Sequence, residues 1–116
     1  VLADGALLVA TTDPIHHGHA YDTPPADCLD AGEPSTQALA RSMIDEQLTA
    51  LAHHEFAHFA RLTEQHKSDF RDTGPVLAAL LGPGFTPTVH DLALVDYSEA
   101  LHASSPSWVA GALITV

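Results

Sequence analysis

The chain has 116 residues, 4 basic and 15 acidic, for a formal net charge of −11. That length supports one small domain, and 46 % hydrophobic residues supply enough apolar material for a core rather than a disordered chain. The acidic balance argues against nucleic acid and anionic membrane surfaces as partners, no apolar run is long enough to cross a bilayer, and the single cysteine, Cys28, excludes an intrachain disulfide. With no signal peptide in view, a cytoplasmic location is expected. The chain opens at Val1 and enters an apolar run almost at once, so further sequence is expected upstream.

In chain order, "ALLVATT" (Ala6–Thr12) comes first, bounded by Gly5 and by Asp13-Pro14. A short continuous apolar run between turn residues reads as a strand buried on both faces, as in a parallel sheet. Pro14, Gly18, Pro24 and Pro25 then mark "DPIHHGHAYDTPPADCLDAGEP" as a long loop, and long loops in compact domains are often functional. Helix signals start at Ser35 or Thr36, behind Pro34. Leu39, Met43, Leu48, Leu51, Phe56, Phe59 and Leu62 recur at near-helical spacing to about Gln65, with a break expected around His53-His54 because the span is long for one globular helix. Residues 75–82 read as a short helix with Pro75 at its first position and Gly82 at its end. Residues 89–97 and 108–116 read as strands. The order strand, helix, helix, strand, strand predicts an α/β fold: a buried, mostly parallel sheet with covering helices.

Two stretches carry candidate chemistry. The first is His54-Glu55-Phe56-Ala57-His58, which spells H-E-x-x-H. Zinc peptidases place two histidines one helical turn apart, so that both imidazoles face one metal, with the glutamate as general base. His54 and His58 have that spacing, and Glu55 lies between them. A third ligand is not evident: His66 comes eight residues after His58, where the metzincin pattern has its histidine six after. Asp91, Asp96 and Glu99 are carboxylates without special claim. The competing reading is an amphipathic helix with Phe56 and Phe59 in the core and histidines on its flank.

The second stretch is "LLVATTDPIHHGHAYDTPP", which puts Asp13, His16, His17, Gly18 and His19 at the end of the predicted strand. Ligands in open α/β sheets bind outside the carboxyl ends of strands. A histidine there can serve as acid/base or metal ligand, and a nearby aspartate can orient its ring. The competing reading is a solvated polar loop in which Asp13 caps a turn.

"ATTDPIHHG" resembles the strand-end "SSDFxHxG" of Memo-like proteins, which share a fold with the LigB-type class III extradiol dioxygenases. Asp13, His16 and Gly18 match the pattern. "DTGPVLAALL" is similar to the family's "CGxGPI" turn and helix through Gly74 and Pro75, and "LALVDYSEALHASSPSWVAGALI" resembles its closing strand, polar loop and final strand. The resemblance covers nearly all of residues 1–116, as a single unit corresponding to the C-terminal half of such a domain. It implies one part of a non-heme metal-dependent oxidoreductase acting on a phenolic or related small molecule, with Fe(II) as cofactor. The missing N-terminal half, or a partner subunit, would complete it. His16 would be acid/base with Asp13 as its partner, and His17, His19, Tyr21 and Arg71 would face substrate. Arg71 or Asp72 stands where Memo-like proteins have a metal-site cysteine, and Pro14 replaces the usual aromatic residue. The resemblance also places H-E-x-x-H on an outer helix as a chance match. Two alternatives stay open: a zinc peptidase using His54, His58 and Glu55, and a non-catalytic module that binds metal or protein.

Overall fold

The computed structural model describes residues 4–116. The expectation about the chain's opening concerns Val1, which lies outside the described residues. A three-residue strand, β1 (His16–Gly18), is followed by two single turns of 3-10 helix at His19–Tyr21 and Pro25–Asp27. Three helices come next: α1 (Pro34–Ala52), α2 (Phe56–Gln65) and α3 (Phe70–Leu81). Two longer strands, β2 (Thr88–Asp96) and β3 (Ser107–Thr115), close the chain.

The sheet has order β1-β3-β2 and is antiparallel throughout, which corrects the expected parallel arrangement. The reason is the connection. Residues 97–106 form a loop that turns β2 straight back along β3, whereas a parallel pair needs a crossover of about a dozen residues or more, usually a helix. β1 in turn sets His16 opposite Val109 and Gly18 opposite Ser107. The run Ala6–Thr12 pairs with no strand among the described residues. Its strand-like composition is real, but a strand exists only through a neighbour, and none lies alongside.

α1 buries Ala40, Ile44, Gln47, Leu48 and Leu51, a stripe at helical spacing. These pack with Phe59 and Leu62 of α2, Phe70 and Ala78 of α3, and Ile15, Trp108 and Ala110 from the sheet side. The helical pattern breaks at His53-His54, as its length suggested. His54 has φ 55, with the His54 N–H on the Leu51 carbonyl at 3.0 Å and the Glu55 N–H on the Ala50 carbonyl at 2.8 Å. This is a Schellman cap, with a histidine in the left-handed position that glycine usually fills. α2 ends the same way: Lys67 has φ 50, its N–H meets the Glu64 carbonyl at 3.3 Å, and the Ser68 N–H meets the Thr63 carbonyl at 2.8 Å.

α3 starts five residues before the expected helix at 75–82, because Phe70 is buried in the core and anchors an extra first turn. Pro75 therefore lies inside the helix rather than at its start.

Candidate metal centre

The site is built where the loop before β1 meets the end of α2. The α2 cap fixes His16 twice: the His16 N–H donates to the His66 carbonyl at 3.1 Å, and Nδ1 lies 2.6 Å from the Lys67 carbonyl. A carbonyl can only accept, so Nδ1 carries the proton. In the neutral ring Nε2 then has the lone pair, an assignment made from the hydrogen bond. The Lys67 ammonium holds the far side by donating to the Tyr21 carbonyl, and the Tyr21 ring lies tilted against the His16 ring, centroids 4.9 Å apart.

Two carboxylates face that lone pair. Asp13 Oδ2 is 3.7 Å and Asp69 Oδ2 is 3.8 Å from His16 Nε2. These separations are too long for hydrogen bonds. Asp69 is the N-cap residue of α3, yet its carboxylate caps no backbone N–H; it turns toward His16 instead. The Asp69 N–H donates to the Asp13 carbonyl at 3.0 Å, which ties the two acidic residues together. Below them Gln47, fully buried in α1, donates to the Pro14 carbonyl at 3.0 Å and accepts from the Ser68 hydroxyl at 2.8 Å. One side chain thus clamps the loop carrying Asp13 to the loop carrying Asp69.

Asp13, His16 and Asp69 each offer one ligand atom, and these atoms all lie within 4.8 Å of one another. A nitrogen lone pair and two anionic oxygens converging without hydrogen bonds between them form a donor set that can chelate a divalent cation. The set is rich in oxygen with a single imidazole, which suits the harder divalent ions and leaves coordination positions open. The cluster opens onto a cleft of about 460 Å³ lined by Thr11, Thr12, Asp13, Asp69, Asp72 and Thr73. The cleft is a shallow, open and polar depression.

The other residues singled out from the sequence are placed as follows. Tyr21 is beside His16; burial pushes its phenol up, and the Asp13 carboxylate adds to the effect. His17 faces away from the cluster, stacked on Trp108 with centroids 4.7 Å apart and accepting from the Leu29 N–H at 2.9 Å. Burial holds its imidazole below the ordinary value, and the Lys67 charge adds to this. His19 is half-buried, with its backbone N–H on the Pro106 carbonyl at 3.0 Å. Arg71 is exposed in the first turn of α3, its Nε 3.6 Å from Asp72 Oδ1. His54, Glu55 and His58 do not share a helix: His54 is the left-handed cap residue after α1, Glu55 is the N-cap of α2, and His58 is exposed within α2. The His54 ring lies against Phe56, with Nε2 3.3 Å from the Ala78 carbonyl.

Sequence reasoning missed Asp69 and Gln47. Gln47 had a signal: it is a polar residue inside the apolar stripe Ala40-Ile44-Leu48-Leu51. Asp69 had none stronger than its place at a helix start. No family model, curated protein or solved structure matches the chain.

Proposed function

We propose that this chain is one part of a non-heme, metal-dependent oxidoreductase resembling the class III extradiol dioxygenases, acting in the cytoplasm on a phenolic or related small molecule. The observation that carries the reading is the convergence of Asp13 Oδ2, His16 Nε2 and Asp69 Oδ2 beside an open cleft. In this reading the three side chains hold Fe(II). Two carboxylates neutralise the dication, and the Lys67 carbonyl fixes the imidazole tautomer so that Nε2 is the ligand atom. Fe(II) bound there would supply Lewis acidity toward a substrate hydroxyl and a reductant for O₂. Tyr21 covers the His16 ring on one side, and Thr11 lines the cleft beside the two carboxylates. Three protein ligands leave room for substrate, and a missing N-terminal half or partner subunit closes the remaining side.

The test is anaerobic titration of the chain with Fe(II), followed by oxygen uptake on catechols with the partner present. We expect one ion per chain, with binding lost in Asp13→Asn, His16→Ala and Asp69→Asn and kept in His58→Ala. Zinc held by the chain and lost in His58→Ala would overturn this reading in favour of the peptidase. Metal bound through His16 with no oxygen uptake on any phenol would leave a non-catalytic metal-binding module.

A further inference from the structure

We propose that Ala6–Thr12 is a docking strand for a second polypeptide, and that the segment it receives is an apolar β-strand with basic residues at its ends. The inference names the partner surface of the reading above and rests on it only in requiring a partner chain; it needs no metal.

Three observations carry it. The run is apolar yet bare: Leu7 is 85 % and Val9 71 % exposed, and Leu8 and Val9 line a groove of about 330 Å³ whose other wall is α3, where Val76 is 60 % exposed. Its backbone is also unused, since among the described residues no peptide group from Ala6 to Thr12 takes part in a hydrogen bond. Strand-competent sequence with open N–H and C=O groups is a template for strand addition.

The third observation is a contrast within the molecule. The outer edge of β2 is guarded by acidic Asp91 and Asp96 and by a register break between His90 and Ala93, with Asp91 at φ 28. Such devices discourage edge pairing. Ala6–Thr12 carries no charge, no proline and no bulge.

Charge selects the occupant. Asp4 and Asp13 bracket the run, and Asp72 lies on the groove. A second copy paired antiparallel would set Asp4 against Asp13 at both ends, and would bring one chain of net charge −11 against another. Like charges placed opposite destabilise strand pairs. A partner strand ending in lysine or arginine meets the opposite sign at each end.

The test uses the full chain in a chelating buffer, so that its outcome is independent of metal. The probe is a fluorescent peptide of alternating valine and threonine, as long as the run, with lysine at both ends; the comparison peptide has glutamate there. We expect the lysine peptide to bind at least about tenfold tighter, the difference to shrink in high salt, and amide exchange to slow within residues 6–12. Val9→Pro, at an exposed position, removes an N–H and should weaken binding at least about tenfold, while Leu113→Asp on the sheet leaves it unchanged. Equal affinity for the two peptides, absence of binding, or loss of binding in Leu113→Asp would overturn the proposal. So would a dimer in sedimentation that protects the same amides, which would assign the run to a second copy.

Discussion

His16 is held at three points, its N–H, its Nδ1 and its ring face, and only Nε2 is left uncommitted. That immobilisation depends on Gln47, which touches none of the candidate ligand atoms. Gln47→Leu leaves the Pro14 carbonyl and the Ser68 hydroxyl without their partner in a buried place. It should lower stability by about 1–3 kcal/mol in urea unfolding and weaken divalent-cation binding through the loosened Asp13 and Asp69 loops. His17 and His66 make a second case at this scale. Burial holds both below the ordinary 6.5, with Lys67 reinforcing it at His17 and Glu46 opposing it at His66. His66 Nε2 is buried without a partner. The unfolded chain therefore binds more protons than the folded one at mildly acid pH. Stability is fully present above 6.5 and falls as pH drops below it toward the lowered folded values, by at most about 1.4 kcal/mol per pH unit for each histidine. Urea unfolding across the acid range should show this decline, and His66→Gln should flatten part of it.

Among the elements, the decisive feature is the pair of Schellman caps that end α1 and α2. The first splits H-E-x-x-H between two helices; the second aims the His66 and Lys67 carbonyls at His16. Inside a helix alanine is more stable than glycine by about 0.8–1 kcal/mol. At a left-handed cap the order reverses. At His54, with φ 55, the glycine variant should therefore be more stable than the alanine variant by about 1 kcal/mol. The opposite order in thermal unfolding would put His54 inside a continuous helix, where a zinc peptidase needs it. Two glycines fix the packing of the elements. A Cβ on Gly74 would meet Phe59 Cζ at 2.6 Å and Leu51 Cδ1 at 3.0 Å, both side-chain ends. Gly74→Ala should then cost about 1–3 kcal/mol despite the better helix former. At Gly18, φ is 115 and a Cβ would sit 2.0 Å from the backbone oxygen of Pro106. Neither backbone can yield there, so Gly18→Ala should cost more than about 3 kcal/mol and displace the start of β1 from β3.

At the scale of the whole molecule, the candidate centre joins the loop before β1 to the loop between α2 and α3. A cation bound there crosslinks the folded chain and binds the unfolded one poorly. Fe(II) or Mn(II) at about 100 times its dissociation constant should add about 2.7 kcal/mol to unfolding, read as a rise in Tm that Asp69→Asn removes. Among the described residues no helix is long and apolar enough to cross a membrane.

Much of this was written locally. The stripe on α1, the break at His53-His54, the two closing strands and the Asp13/His16 pair were all legible, because periodicity, caps and turn residues act within a few positions of themselves. Three things were not. The direction of the sheet depends on which strands meet, and an apolar run such as Ala6–Thr12 reads the same whether or not a neighbour pairs with it. The role of Asp69 depends on a carboxylate that declines its own helix cap in favour of a histidine far away in sequence. The residue at which the helix is cut inside H-E-x-x-H is set by one backbone φ at His54. Sequence alone determined the helices, the two closing strands, the acidic charge and the candidate histidine, because each is a property of neighbouring residues. Only the tertiary structure decided strand pairing, the tautomer of His16 and the meeting of Asp13 with Asp69, because each is set by contacts between segments that no local pattern encodes.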